Sequence, residues 1–355
     1  MGFSLPSCKW LEQSQINTIV DFPMNSDRDT MSIEEFDGLI PPEILNKMTS
    51  NHSIASKKNS ADFKTIKLNN NLKDKEMYYR GEFNEKGQKE GIGKMVIKNK
   101  NNEKMFYYGL WEEDKLNSGK IYYINGDEYD GQIKDFLREG KGKFTSENEN
   151  YDGDWLKDEK DGYGILKYQN GIKYEGHFKK DKFNGKGEMS FPNGIYYSGG
   201  FFNDLFHGMG CLKGNNNHTY NGNFKNGFYH GLGEFKWIDD TSVEIYNGNY
   251  SNGKKDGKGE LKFKNDHKFV GNWESGKPHG EGCYETKNRK YFANWRGGQF
   301  MQLTGAEIKE DGEENVNLNF ITPEEDINYQ NSLISSLYSN SSINRQFIKG
   351  SIENI

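Results

Sequence analysis

Pairs of glycines separated by one residue recur along the chain, as in Gly162-Tyr163-Gly164 and Gly185-Lys186-Gly187. Glycine-rich loops can cradle phosphate groups, because bare backbone N–H groups approach the phosphate oxygens closely. A P-loop continues with Gly-Lys-Ser/Thr and leads from a strand into a helix, and none of these pairs has that context. The pairs therefore do not predict a nucleotide site, and we interpret them as structural residues of a repeat.

Histidines could bind a metal or transfer protons. His207, His230 and His279 each precede the first glycine of such a pair, so they occupy one position of a repeating unit. Neighbouring copies on a sheet would lie about 10 Å apart, which is too far for easy sharing of one metal ion. We therefore predict a structural role for these histidines.

The cysteines and acidic residues also lack a catalytic or metal-binding pattern. The three cysteines are far apart and form neither a metal-binding pair nor a disulfide framework; they are Cys8, Cys211 and Cys283. Acidic pairs lie in polar, turn-like stretches, and no Ser/His/Asp or Cys/His set stands out. We predict that the protein is not an enzyme and that it has no cofactor, no metal site and no catalytic residues.

The glycine pairs belong to a unit of 22–28 residues. YEGHFKKDKFNGKGEMSFPNGIY, from Tyr174, aligns with YDGDWLKDEKDGYGILKYQNGIK, from Tyr151. Each reads Tyr-x-Gly-x-aromatic, a polar stretch, Gly-x-Gly and a turn with Asn-Gly, and a fixed period of this kind is typical of repeat architectures. The ten units begin at Tyr79, Tyr107, Tyr129, Tyr151, Tyr174, Tyr197, Tyr220, Tyr246, Phe269 and Tyr291.

The alternation inside one unit predicts a β-hairpin with one aromatic face. In a strand, Tyr151, Gly153 and Trp155 point the same way. The second strand carries Gly162 and Gly164, so rings of one strand can cover the bare backbone of its neighbour. One hairpin is marginal in water, whereas stacked hairpins share their aromatic face. The sequence therefore predicts an all-β fold: an elongated single-layer antiparallel sheet of stacked hairpins with short helical flanks.

The units are not equally regular. The second unit blurs its glycine pair to Ser118-Gly119-Lys120, and the last unit, Tyr291 to Gly298, has the length of a half-repeat with Ala293 in place of glycine. We predict eight well-formed hairpins, one degraded unit and a terminal half-unit. The extra residues between Gly233 and Tyr246 predict a longer loop. These irregular places are where we expect specific partners to bind.

The flanks divide the chain into three parts. Residues 1–76 form an irregular N-terminal extension with short helices, 77–300 the repeat array, and 301–355 a C-terminal extension with an amphipathic helix. The N-terminal helix signals are a capping box at Ser32-Ile33-Glu34-Glu35 and Pro42 at a first-turn position. Residues 49–72 are rich in Asn, Ser and Lys and are interpreted as a linker.

A second helix is predicted after the array, over roughly 323–338. Thr322-Pro323-Glu324-Glu325 is a typical helix start, and Ile327, Ile334 and Leu337 follow at near-helical spacing. This helix either caps the final hairpin or docks on another subunit.

Composition narrows the partners and the compartment. The net charge is -6 and the pI about 5.8, so no global positive field attracts nucleic acid. No stretch approaches 18 apolar residues, and the N-terminus lacks the basic and apolar regions of a signal peptide. We therefore expect a cytoplasmic protein that does not bind nucleic acid.

The repeated Tyr-x-Gly-x-Trp/Phe and Gly-x-Gly in register resemble MORN repeats (membrane occupation and recognition nexus), over about residues 77–300. The resemblance implies a sheet that binds partner proteins and sometimes lipids. The chain is similar to stand-alone MORN scaffolds of cilia, such as radial spoke head proteins, and of the cytoskeleton. This resemblance implies that the protein is a non-catalytic structural subunit of a ciliary, axonemal or cytoskeletal assembly and that it binds other protein subunits.

The aromatic face is the expected surface for a partner helix. Its candidate residues are Tyr151, Trp155, Tyr174, Phe178, Tyr197 and Phe201. The alternative is that these rings only stack on each other and on glycine. Ile327, Ile334 and Leu337 of the predicted C-terminal helix are further candidates.

Two other functions stay open. One is a membrane-associated tether that binds phosphoinositides through Lys179-Lys180-Asp181-Lys182 and Lys254-Lys255, although the acidic total does not favour lipid binding. The other is a self-assembling scaffold, for example a homodimer joined end to end or along one face.

Overall fold

The computed structural model describes residues 29–30, 32–50, 64–68, 75–99, 101–215, 218–238, 243–308 and 318. These residues form two compact units. The N-terminal unit holds the described residues up to 171 together with 178–181, and the C-terminal unit holds 172–177 and the described residues from 182 onward.

Antiparallel hairpins build both units, as the alternating sequence predicts. In each unit, strands that follow one another along the chain are hydrogen-bonded neighbours. The N-terminal unit contains β1 (Asp29–Thr30), β2 (Lys64–Leu68), β3 (Lys75–Phe83), β4 (Lys89–Asn99), β5 (Lys104–Glu112), β6 (Lys115–Tyr123), β7 (Glu128–Lys134), β8 (Leu137–Thr145), β9 (Glu149–Leu156) and β10 (Glu159–Tyr168). After β11 (Lys173–Lys179), the C-terminal unit continues with β12 (Lys182–Ser190), β13 (Tyr196–Phe202), β14 (Leu205–Lys213), β15 (Thr219–Lys225), β16 (Phe228–Ile238), β17 (Val243–Ser251), β18 (Lys254–Lys262), β19 (Lys268–Glu274), β20 (Lys277–Glu285), β21 (Arg289–Arg296) and β22 (Gln299–Ile308).

Two-residue turns close the hairpins. Lys157 and Asp158 have φ of 51° and 69°, and Asn226 and Gly227 have φ of 51° and 87°. Positive φ at both central residues is the signature of the type I′ turn, whose twist matches that of the flanking strands. Asp, Asn and Gly tolerate this conformation, which explains the polar residues at these turns.

Two short helices precede the hairpins. The helix α1 (Ile33–Asp37) begins with the predicted capping box: Ser32 Oγ accepts from Glu35 N at 3.1 Å, and Glu35 Oε2 accepts from Ser32 N at 2.7 Å. The helix α2 (Pro42–Ser50) starts at Pro42, where a missing N–H costs no hydrogen bond.

Both helices pack on one face of the first hairpins. We name the sheet face that carries the first aromatic residue of each repeat the front face, and the opposite one the back face. In the first hairpins the back-face residues are apolar, and they form a buried core with the helices; its members are Phe36, Ile40, Ile44, Met48, Tyr78, Val96, Phe106 and Tyr122. The contact is fastened by an ion pair of Arg80 with Asp37 at 3.1 Å and by Lys104 Nζ donating to the Leu39 carbonyl at 2.9 Å.

The structure confirms the all-β class but corrects several details. Strand β2 lies inside the predicted linker and pairs with β3, as Ile66 opposite Tyr79 shows. The last unit is a complete hairpin, because β22 supplies the second strand that the missing glycine pair concealed. The extra residues before Tyr246 lengthen β16 and β17, with Trp237 opposite Glu244, so the prediction of a simple longer loop was wrong.

The degraded second unit also forms a hairpin. Gly109 stands opposite Gly119 in β5 and β6, so one glycine pair is enough to keep the register. The predicted helix at 323–338, with Ile327, Ile334 and Leu337, lies outside the described residues. Among the helices that the structure describes, none is long and apolar enough to cross a membrane.

Candidate binding surface

Seven repeats are built around a tyrosine that lies over two facing glycines, and in an eighth Phe269 takes this place. Gly153 of β9 stands opposite Gly164 of β10, and the Tyr151 ring covers both. A Cβ added at Gly164 would come within 2.5 Å of Tyr151 Cε2 and Oη. Only glycine leaves room for the ring, as the sequence predicted. The Tyr151 hydroxyl then donates to the Asp154 carbonyl at 2.8 Å.

The first glycine of each Gly-x-Gly has a different role from the one expected. Gly162 has φ of 108°, and the register of β9 and β10 shifts between Lys160 and Gly164. This is a β-bulge, a feature that glycine forms without steric cost. The sequence pattern predicted that Gly162 lies beside Gly164 under the ring. The bulge instead turns Gly162 away from the ring, so that a Cβ at Gly162 would meet the Asp154 side chain.

The six aromatic candidates on the front face are buried core residues. Tyr151, Trp155, Tyr174, Phe178, Tyr197 and Phe201 are each 4% exposed or less. Their rings meet edge to face, for example Tyr151 with Trp155 at 5.0 Å and Tyr197 with Phe201 at 5.1 Å between centroids. The alternative, that they stack on each other and on glycine, describes this packing. A direct contact with a partner stays a prediction for these residues.

A second layer of side chains covers the tyrosines. In most hairpins it comes from the second residue of the second strand, and in the first hairpin it comes from the first residue, Lys89. In the C-terminal unit this residue is often aromatic, and Phe206 stacks on Tyr197 with centroids 3.7 Å apart. Elsewhere it is a cation: Lys160 lies 5.4 Å from the Tyr151 ring. Burial raises the pKa of the Tyr151 hydroxyl, because the phenolate would lose its solvation.

Lys255 is the extreme case of this covering position. It is 0% exposed, and its Nζ lies 4.8 Å from the Trp237 ring and 5.3 Å from each of the Tyr246 and Trp273 rings. Desolvated cation–π contacts of this kind are worth about 2 kcal/mol. Lys255 is therefore a core residue, and it is not available for the lipid binding for which Lys254-Lys255 was one candidate.

The hairpin tips are tied to each other. The Asp158 N–H donates to the Arg138 carbonyl at 3.0 Å, and the Asp158 carboxylate accepts from Arg138 N at 2.7 Å. Asp204 makes the same pair of contacts with Phe183. These ties fix the spacing of consecutive hairpins, so the side chains of the back face are held at regular intervals.

The back face presents the middle residue of each Gly-x-Gly. This residue changes from repeat to repeat, and several copies are large and exposed, including Met209 at 65% and Leu232 at 66%. The exposed row consists of Lys141, Tyr163, Lys186, Met209, Leu232, Lys258 and Glu281. The back face is therefore a regular support for variable side chains.

An open groove of about 770 Å³ crosses the back face of the C-terminal unit. Leu232 and Val270 provide its apolar walls, and asparagines provide its polar wall. Asn249 Nδ2 donates to the Lys258 carbonyl at 3.1 Å, and Asn272 Nδ2 donates to the Glu281 carbonyl at 3.4 Å. These bonds satisfy backbone groups at the bulges and hold the amide side chains flat along the groove.

The potential metal ligands do not converge. His207, His230 and His279 sit at equivalent positions of different hairpins, and among the described residues no three His, Cys, Asp or Glu side chains are grouped to hold a metal ion. Cys211 and Cys283 are free and half-buried, and burial raises the pKa of both thiols. The described residues therefore form a groove on the back face, and their potential metal ligands are not grouped together.

Comparison with known proteins agrees with this architecture. The MORN repeat family matches residues 79–101, 129–150, 151–173, 174–196, 197–219, 220–242, 246–268 and 269–289. The chain belongs to the MORN repeat family. The eight matches are the eight units that the sequence predicted to be well formed, and the second and last hairpins are not among them. MORN repeats are non-enzymatic scaffolds that bind proteins or membranes.

Curated relatives share only part of the array. The chain is 34% identical over 96 residues to alsin from Rattus norvegicus, Mus musculus and Homo sapiens, which is 25% of this chain. It spans about 6% of the length of these relatives. The similarity therefore supports the repeat and carries no activity over to this protein.

Sequence reasoning missed two features of the surface. It did not identify the covering residues, such as Lys160 and Lys255, although aligning the repeats on the second strand places them in one column. It also did not single out the back face, although the variable middle residue of Gly-x-Gly, as at Met209 and Leu232, marks that face in the sequence.

Proposed function

We propose that this protein is a non-catalytic protein-binding scaffold, a structural subunit of a ciliary or cytoskeletal assembly in the cytoplasm. The scaffold role rests on the different positions of repeated and variable residues in each hairpin. The repeated aromatic residues are buried in the core, while variable residues such as Met209 and Leu232 are exposed at regular intervals. The ciliary setting rests on the likeness to radial spoke head proteins.

Affinity purification of the tagged full chain, followed by cross-linking mass spectrometry, tests the scaffold role. We expect a stoichiometric protein partner whose cross-links map to the back face. The substitution Met209→Asp should weaken capture of that partner, whereas Ile124→Asp, at an equally exposed turn residue, should leave it unchanged. Recovery of the chain with no stoichiometric protein would overturn the proposal.

Localisation of the tagged protein in ciliated cells tests the setting. Concentration along the axoneme or the cytoskeleton is the expected outcome. A diffuse cytoplasmic distribution would refute the ciliary or cytoskeletal setting, and it would leave the proposed protein-binding role untouched.

A membrane tether is the second candidate, supported by the exposed Lys179, Lys180 and Lys182. Flotation with anionic vesicles at physiological salt measures it directly. Binding that is lost when these three lysines are replaced by glutamine would favour the tether, and absence of flotation would end this idea. Self-association, for which β22 offers the exposed Met301 and Leu303, is measured by the mass of the protein in solution.

A further inference from the structure

The exposed row on the back face has a symmetric order of side chains in the C-terminal unit. Four consecutive members stand on β12, β14, β16 and β18, and they are Lys186, Met209, Leu232 and Lys258. We name these four residues the central row. All four are exposed, so two apolar side chains stand between two lysines. At ~4.8 Å per strand, neighbours in the central row lie about 10 Å apart.

The positions between these four residues carry low side chains. Gly200 has none, and Asn223 and Asn249 are held against the sheet by hydrogen bonds. Asn223 Nδ2 donates to the Leu232 carbonyl at 3.3 Å, and Asn249 Nδ2 donates to the Lys258 carbonyl at 3.1 Å. The side chains of the central row are therefore the ones that a ligand on this part of the back face meets first.

The two lysines of the central row have no carboxylate partner among the described residues. Acidic residues of the same face are engaged elsewhere, because Glu234 pairs with Lys236 at 2.8 Å and the Tyr196 hydroxyl donates to Glu188. Glu260 lies two residues from one of these lysines, about 7 Å along the strand, and forms no ion pair with it. The central row therefore carries two positive charges that the described part of the chain does not neutralise.

The N-terminal unit shows what kind of ligand the back face accepts. Asp37 at the end of α1 pairs with Arg80 of β3 at 3.1 Å, and Lys47 of α2 pairs with Glu128 of β7. The helical segment thus lies across the strands, with an ion pair near each end. Its apolar residues are buried between these ion pairs, against the apolar residues of the sheet.

Strand spacing sets the pattern that a helix on the central row must have. A helix rises about 1.5 Å per residue, so residues seven positions apart span about 10.5 Å, close to the spacing of the central row. Such residues lie on nearly the same face, with a drift of about 20° per heptad, and the long lysine side chains at both ends accommodate this drift. A matching helix carries a carboxylate, two apolar residues and a second carboxylate at successive intervals of about seven residues.

We propose that the central row binds an amphipathic helix of a partner protein, which lies across β12 to β18 and carries an acidic residue at each end of its apolar pair. Met209 and Leu232 pack against the two apolar residues, and Lys186 and Lys258 pair with the carboxylates. This inference rests on the proposed scaffold function and specifies the segment by which the partner is recognised.

A designed peptide tests the pattern on the full chain. The probe is a fluorescent peptide of thirty residues built from alanine and glutamine, with glutamate at its fifth and twenty-sixth positions and leucine at its twelfth and nineteenth. Fluorescence anisotropy should show saturable binding. A second peptide of the same composition, with leucine at the twelfth and fourteenth positions, places them on different faces and should bind at least about tenfold more weakly. Absence of binding, or equal binding of both peptides, would overturn the proposal.

Charge reversal then locates the site. Lys186→Glu together with Lys258→Glu should weaken binding of the probe about tenfold, because two attractions become repulsions. A peptide with lysine in place of both glutamates should bind this variant about as well as the probe binds the wild type. The matched control is Lys182→Glu together with Lys277→Glu, which makes the same change of charge at exposed residues near the hairpin tips. Equal binding of the probe to both double variants, with unchanged unfolding midpoints, would refute the site.

Capture of the native partner separates this inference from the scaffold function. Failure of the wild type to capture any stoichiometric protein contradicts the scaffold function. A partner that is captured equally well by the wild type and by Lys186→Glu with Lys258→Glu leaves the scaffold function standing and overturns the helix on the central row.

Two further outcomes would assign the central row to another occupant and overturn the proposal. One is binding of anionic vesicles to the wild type, with loss in the charge-reversal variant and no binding of the peptide, which would identify a lipid surface. The other is carbodiimide coupling of Lys186 or Lys258, without peptide, to a carboxylate of the same chain outside β12 to β18, which would show that the chain covers its own row.

Discussion

Substituting Gly259 by alanine tests the ring-over-glycine packing most directly. The backbone of Gly259 is not in the left-handed region, so the cost of Gly259→Ala comes from space alone. The new Cβ would lie 2.3 Å from Tyr246 Oη, 2.5 Å from Cζ and 2.6 Å from Cε2. The Tyr246 ring must therefore move by about 1 Å to reach an ordinary contact distance.

The packing around the Tyr246 ring blocks this movement. Tyr246 is 0% exposed, and its ring is fixed edge to face by Trp273 and Tyr250 at 5.2 Å each, with Lys255 Nζ over it. Forcing one extra methyl into a packed core costs about 1–3 kcal/mol. Because every neighbour of this ring is itself buried, we expect the upper end, about 3 kcal/mol. The unfolding midpoint should fall by about 6–12 °C, from the entropy of unfolding of a unit this size.

Thermal and chemical denaturation of the full chain measure this loss, with Gly305→Ala as the matched control. A Cβ at Gly305 would meet only Phe292, at 3.7 Å from Cδ2 and 4.0 Å from Cβ, so that variant should stay within about 0.5 kcal/mol of the wild type. Adding Tyr246→Leu to Gly259→Ala should cost at least about 1 kcal/mol less than the two separate losses together. If Gly259→Ala is as mild as Gly305→Ala, the packing argument is wrong.

Three further outcomes follow from the packing. Replacing Lys255, which is surrounded by aromatic rings, by methionine should lower the free energy of unfolding by about 2 kcal/mol, while Lys254→Met should change it little. Equal losses for the two variants in chemical denaturation would contradict the cation–π account. Burial raises the pKa of Asp127, so its protonated form is favoured in the folded state, and the wild type gains stability as the pH falls through that raised pKa and reaches the full gain below about 4. The variant Asp127→Asn should lack this gain. Relative to the wild type, its free energy of unfolding should therefore be higher at pH 7 than at pH 4. A difference between variant and wild type that is the same at both pH values would refute the assignment. Replacing Phe36 by alanine should cost about 3–5 kcal/mol of helix docking and make residues 32–50 sensitive to limited proteolysis, and unchanged resistance would show that the helices do not depend on this contact.

Much of the architecture is encoded locally, in each repeat. The alternation of Tyr151, Gly153 and Trp155 defines a face, and a glycine two residues away defines where the ring can lie, so the hairpins and the buried aromatic row follow from residue type and spacing. The same holds for α1, whose capping box is written in four consecutive residues.

The tertiary structure decided which face is free. Burial is a property of the neighbours, and the covering residues that close the aromatic face, such as Phe206 and Lys255, come from a different strand than the rings they cover. The backbone conformation of a bulge is likewise invisible in the spacing, which is why Gly162 was placed under a ring that it avoids.

The sequence by itself thus determined the repeat, its eight regular copies and their hairpin form, because each depends on side chains close together along the chain. Only the tertiary structure showed that β22 completes the last hairpin, that α1 and α2 cover the back face of the first ones, and that Leu232 and Val270 frame a groove in the C-terminal unit. Those features depend on contacts between residues far apart in sequence, and the spacing within a repeat does not record them.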